Sequence, residues 1–251
     1  MDAIRSWHSR MSLETTMNPN LKKYSDILRN IKKYKYVFSN NFVELAENSH
    51  QLYLRHDLDV SLDYGIACAN FEKKLNIESN FFIMVNSPFY NLLEFDERQK
   101  LKKIQKVNSN IGLHANLKKN SSKEEIDLEV QLQKNILENI LEKKVTMVSI
   151  HQPTSQFMNH QFEDFNLVNV YRFSMLNSIA YYSDSNTQLK IKELISTLES
   201  GQNIQLLIHP VWWFANITQP RDIWNILIED KISKIKKIIS QTERTYEGDK
   251  S

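Results

Sequence analysis

The residues that can do chemistry in this chain gather in short segments of one form, an apolar run that ends in acids or histidines. The first is Leu52-Tyr53-Leu54-Arg55-His56-Asp57-Leu58-Asp59. As a strand its side chains alternate between faces with a period of two. Arg55, Asp57 and Asp59 then share one face, and Leu52, Leu54, His56 and Leu58 the other. Two carboxylates at one strand end repel each other unless a metal, a cation or a shared proton neutralises them. An ion pair with Arg55 is the plainest version. Later runs end Ile111-Gly112-Leu113-His114, Ser149-Ile150-His151-Gln152-Pro153, Tyr181-Tyr182-Ser183-Asp184-Ser185 and Leu206-Leu207-Ile208-His209-Pro210. Three of the chain's 7 histidines, His114, His151 and His209, therefore close predicted strands. Carboxylate and imidazole from separate strand ends suit zinc, iron, cobalt or manganese, whereas all-oxygen sites suit magnesium or calcium.

The elements that must position these residues follow from the intervening sequence. Leu21, Tyr24, Ile27, Leu28 and Ile31 predict a helix over 20–36, and a second short helix is expected over 38–47. From residue 52 strands and helices alternate. Strands are expected at 52–57, 80–85, 110–114, 145–151, 167–171, 178–182 and 204–209, and helices at 62–75, 96–107, 123–143, 190–199 and 222–239. Ser61 reads as an N-cap, Ser122 with Glu125 as a capping box, and Gly201 as a helix stop. Such alternation implies parallel strands joined by right-handed crossovers. A barrel slightly short of eight repeats fits, and so does a large open doubly wound sheet. Both place functional residues at the C-terminal ends of the strands.

The chain's 251 residues are enough for one catalytic domain, taken as 49–251, preceded by an N-terminal helical extension over 1–48. The net charge of +2, with both signs interspersed, gives no case for nucleic acid or an anionic membrane surface. Cys68 is the only cysteine, so no internal disulfide forms, and it reads as a small core residue. There is no apolar run of the ~18 residues that a membrane span needs and no signal-peptide pattern, so a cytoplasmic location is expected. The absence of a Gly-rich phosphate loop argues against a nucleotide-hydrolysing or dinucleotide-binding domain, and no Gly-x-Ser-x-Gly elbow is present either.

Together these segments resemble the polysaccharide deacetylase superfamily, also called NodB-homology or carbohydrate esterase family 4, and within it the WbmS-like branch. The resemblance rests on Arg55 to Asp59, Ile111 to His114, His151 to Pro153, Tyr181 to Ser185 and Leu207 to Trp213, in that order. It implies an α/β fold, a distorted (β/α)7 barrel, and hydrolysis of an N-acetyl or N-formyl group on an amino sugar in bacterial surface-polysaccharide biosynthesis; with no export signal the sugar is expected to be nucleotide- or lipid-linked. It makes Asp57 the general base, with Arg55 holding it ionised, and His209 the acid. Asp59 and His114 would ligate one divalent transition metal, zinc foremost. The family's second motif carries His-x-x-x-His, but His114 is followed by Ala115-Asn116-Leu117-Lys118. His151, on the next strand and on the matching face, is the candidate third ligand. Trp212, Trp213 and Asp184 are expected to contact substrate, the indoles as flat faces for a sugar ring. Two other readings stand beside this one. A metal phosphoesterase would draw on Arg55, Lys118 and Arg172 to hold phosphate, and a carbohydrate-binding relative would do no chemistry.

Overall fold

The computed structural model describes residues 18–46, 49–108, 110–158, 165–172, 178–185, 188–217, 219, 221–243 and 245. In chain order the elements are α1 (Pro19–Lys33), β1 (Val37–Phe38), β2 (Gln51–Leu58), α2 (Leu62–Lys74), β3 (Asn80–Ile83), α3 (Phe95–Val107), β4 (Ile111–Ala115), α4 (Lys123–Leu141) and β5 (Met147–Ile150). They continue with β6 (Val168–Asn169), β7 (Ala180–Ser183), α5 (Ile191–Ser200), β8 (Ile204–Ile208), α6 (Pro210–Phe214) and α7 (Asp222–Thr242).

Every ladder is parallel, and the strand order is β6-β5-β4-β3-β2-β8-β7, with β1 added beside β2. Strands β2 to β6 succeed one another in space as in sequence, and β8 returns to the free side of β2 carrying β7. This is the cyclic order of a barrel, left open between β6 and β7, which no ladder joins among the described residues. The fold is a distorted (β/α)7 barrel.

Strand β2 shows why the alternation in its sequence is not an alternation of burial. All its residues after Gln51 are buried, because one face lines the barrel and the other is covered by helices. Local signals set the helix ends. Ser122 and Glu125 form a reciprocal capping box on α4, and Ser61 accepts from the Asp63 amide at the start of α2. Chain reversal after α5 uses Gly201 at φ +77°, where a side chain would meet the His50 ring. Gly112 has a different reason. A Cβ on it would lie 2.5 Å from Phe82 Cε1 and 3.1 Å from the Met147 carbonyl oxygen, so β4 passes closely over the Phe82 ring.

Two local expectations are corrected. The helix expected over 38–47 does not form. Val37–Phe38 pairs with β2 instead, through Val37 N–H to His50 O and Ser39 N–H to Leu52 O, and only a 3-10 turn spans Val43–Ala46. The ladder uses the backbone groups that a helix there would need. The fifth barrel strand is cut to Val168–Asn169, because the Asn169 side chain accepts from the Tyr171 amide and its carbonyl from the Arg172 amide, turning the chain.

Helix α1 is part of the packing, since Tyr24, Ile27, Leu28 and Ile31 belong to the same buried cluster as the barrel strands. The chain divides into two compact units, residues 1–214 and 215–251. The described part of the second holds α7. No helix among the described residues is long and apolar enough to cross a membrane.

Candidate metal and acid–base site

Parallel register brings the C-terminal ends of β2, β4, β5 and β8 to one edge. His114 lies within β4, while Asp59, His151 and His209 directly follow β2, β5 and β8. Their ligand atoms converge. His114 Nε2 is 3.0 Å from Asp59 Oδ1 and 3.2 Å from His151 Nδ1, and His151 Nδ1 is 3.7 Å from Asp59 Oδ2.

The protons of this cluster can be assigned from its partners. Ser149 Oγ donates to Asp57 Oδ1 at 3.4 Å, so it accepts at 2.6 Å from a proton on His114 Nδ1. In the neutral ring Nε2 then carries the lone pair, aimed at Asp59 and His151. Asp59 Oδ1 is itself buried with no hydrogen bond. His114 Nε2 and Asp59 Oδ1 face each other as acceptors, joined by His151 Nδ1 in the tautomer that carries its proton on Nε2, and such a group needs a cation between its members. The donor set, one carboxylate and two imidazoles with one imidazole held from behind by a hydroxyl, fits a divalent transition metal.

Beneath this cluster Arg55 and Asp57 form a fully buried fork. Arg55 Nε and Nη2 donate to Asp57 Oδ1 and Oδ2 at 2.9 and 2.6 Å. The guanidinium also donates to the Tyr171 hydroxyl at 2.8 Å and lies 4.4 Å from the Tyr171 ring centre. Burial alone would raise the Asp57 carboxyl, but the charge of Arg55, with His114 beyond it, holds it well below the usual carboxylate range. Asp59 is treated alike: burial raises it, and His114 in its charged form, with a proton rather than a metal ion between Nε2 and Asp59, more than reverses the effect. His151 moves down, chiefly because it is desolvated.

On the other side His209 Nε2 points at the cluster, 3.7 Å from Asp59 Oδ2, while its Nδ1 donates to Asp184 Oδ1 at 2.6 Å. Asp184 Oδ2 accepts from the His209 amide at 2.9 Å and from Trp213 Nε1 at 2.6 Å. Desolvation opposes a charge on His209, but Asp184 prevails and lifts the imidazole to about 9. His209 is therefore a cation at neutral pH.

The structure brings Arg55, Asp57, Asp59, His114, His151 and His209 into one cluster. Asp184 and Trp213, expected against substrate, are placed elsewhere. Asp184 is 1% exposed with both oxygens committed behind His209, and Trp213 is buried against Tyr24. Their polar atoms are engaged with each other and with His209. Trp212 is half-buried against the core. His56 faces outward into a buried contact with Glu72 of α2, and His8 and His160 lie outside the described residues. Tyr171 and Ser149 complete the site without having been given a role from sequence. Ser149 could have been found from its register beside His114, whereas Tyr171 sits in a turn that no periodicity announces.

Among solved structures the chain is similar to a family 4 carbohydrate-esterase pseudoenzyme from Bacillus anthracis, at 14% identity and a TM-score of 0.49, over 74% of this chain and 62% of that one. It is also similar to a family 4 carbohydrate esterase from Bacillus anthracis (12% identity, TM-score 0.46, 84% and 86% of the two chains) and to a family 4 carbohydrate esterase from Streptococcus mutans (14%, 0.47, 70% and 80%). The chain spans less than two thirds of the length of the pseudoenzyme. No family model and no curated protein matches it.

Proposed function

We propose that this protein is a metal-dependent hydrolase that removes an N-acyl group, acetyl or formyl, from an amino sugar carried on a nucleotide or lipid. The observation that carries the reading is the meeting of Asp59, His114 and His151 at one strand edge, beside the Arg55–Asp57 fork and the Asp184–His209 pair. Asp59, His114 and His151 would hold the ion, which supplies Lewis-acid polarisation of the amide carbonyl and a lowered pKa for water.

The chain's own residues divide the proton work. Asp57, kept ionised and oriented by the Arg55 fork, takes the proton of the attacking water. His209 donates from Nε2 to the departing nitrogen. Asp184 holds the opposite ring nitrogen, so the proton to be given away sits on the side that faces the cluster. Trp213 and the His209 amide fix Asp184 in turn. An amide needs both a base for water and an acid for a poor leaving group, and both adjoin one metal-fitting cluster.

The phosphoesterase reading loses its best cation, because Arg55 is 0% exposed and engaged by Asp57 and Tyr171. The experiment is a substrate panel. Purified protein and Asp57→Asn are incubated with zinc and N-acetylated or N-formylated amino sugars, free and nucleotide-linked, and with phosphoesters. Mass spectrometry should find deacylated sugar with the wild type and none with the variant. Phosphoester cleavage, or glycan binding with no product, would replace the proposal.

A further inference from the structure

A second group of metal-binding side chains lies outside the strand-edge site, behind β2. His56 of β2 meets Cys68 and Glu72, which stand four residues apart on one face of α2, and all three are buried. His56 Nε2 is 2.7 Å from Glu72 Oε1, Cys68 Sγ is 3.5 Å from the same oxygen, and Sγ is 3.7 Å from Nε2.

The proton accounting repeats that of His114. His56 Nδ1 faces the Ile208 carbonyl oxygen at 3.3 Å, which can only accept, so Nδ1 carries the proton. The Nε2 lone pair is then directed at Glu72 Oε1, which also accepts from the Cys68 thiol, and a cation must stand between ring and carboxylate, either an added proton or a metal ion that displaces the thiol proton. Tyr24 of α1 also bonds Glu72 Oε1, and Ser79 Oγ donates to Oε2 at 2.5 Å.

We propose that His56, Cys68 and Glu72 form a structural transition-metal site, taking zinc or a similar ion. The size fits. A triangle with edges of 2.7, 3.5 and 3.7 Å has a point about 2 Å from all three corners, close to the ~2.0–2.3 Å lengths of zinc bonds to nitrogen, oxygen and sulfur. The charge fits as well, since a divalent ion with one thiolate and one carboxylate is neutral, which a site wholly out of water requires. Thiolate with imidazole selects zinc, cobalt or iron over magnesium and calcium. The ion would fasten α2 to β2 directly, and α1 through Tyr24, immediately behind the strand that carries Asp57. The proposal is independent of any reaction at the strand edge.

Cys68 is the chain's only cysteine, which makes the test specific. The full chain is produced with cobalt in the medium and its metal content and absorption spectrum are measured. The proposal expects a near-ultraviolet thiolate-to-cobalt charge-transfer band. That band should persist in Asp59→Ala, which disables the other site, and vanish in Cys68→Ser. If Cys68→Ser does not fold, X-ray absorption at the zinc edge of the wild-type protein decides, with one sulfur neighbour at ~2.3 Å expected. A cobalt-loaded protein without the band, or zinc with only nitrogen and oxygen neighbours, would overturn the site and leave a proton holding His56 to Glu72.

Discussion

Asp184→Asn separates charge from shape at His209. The asparagine keeps the side chain's size but removes the foremost of the anions, Asp184 ahead of Asp59 and Asp57, that lift His209 from its ordinary 6.5 to about 9. Each pKa unit corresponds to about 1.4 kcal/mol, so the shift amounts to roughly 3 kcal/mol of stability at low pH. The sign follows from a raised folded-state pKa. The contribution is complete below about pH 6.5 and is lost as pH rises through about 9. The variant also turns an amide N–H₂ toward donors, the His209 amide or Trp213 Nε1, and that cost does not depend on pH. The cost of Asp184→Asn should therefore shrink between pH 6 and pH 10, by at most roughly 3 kcal/mol since Asp59 and Asp57 stay in place, read by urea unfolding of chelator-treated protein. Nuclear magnetic resonance of the imidazole gives the titration directly. A cost equal at the two pH values, or a wild-type His209 that titrates at its ordinary value, would refute the assignment of Asp184 as the group that charges the acid.

Arg55→Met should destabilise by about 3–5 kcal/mol in urea unfolding, because Asp57 stays buried without its cation, and adding Asp57→Leu should recover most of the loss. Wild-type stability should fall as pH drops below about 4, since Asp57 and Asp59 have depressed folded-state values and their contribution is present only above the unfolded carboxylate range. Calorimetry across pH 2–5 checks this, at roughly the carboxylate range. Gly112→Ala should cost about 1–3 kcal/mol in thermal unfolding, because its methyl group would press on Phe82 and on the Met147 carbonyl.

The alternation of strands and helices was legible because burial and turn chemistry agree there, while the choice of a barrel over an open doubly wound sheet rested on the resemblance. Apolar runs stopped by acids or histidines marked β2, β4, β5 and β8, and capping residues marked α2 and α4. Period-two alternation was enough to set Asp57, His114 and Ser149 toward one interior. It could not show that Asp184 lies behind His209, because a strand-end acid reads the same whether it faces substrate or a neighbouring side chain. Nor could it foresee β1, a short strand whose existence depends on the free edge of β2. Glu72 was hidden for a related reason. An acid in a helix reads as solvated until the packing of α1 and β2 around it is known.

The most direct measurement is the anomalous scattering of crystals grown with zinc. One ion is predicted at the strand edge, ligated by Asp59, His114 and His151, with Asp57 and His209 beside it and not bound to it. Density at that point lost in His151→Ala, together with a lower zinc affinity, would agree. An edge without metal, or an ion held by Asp59 and His114 whose affinity is unchanged in His151→Ala, would contradict it.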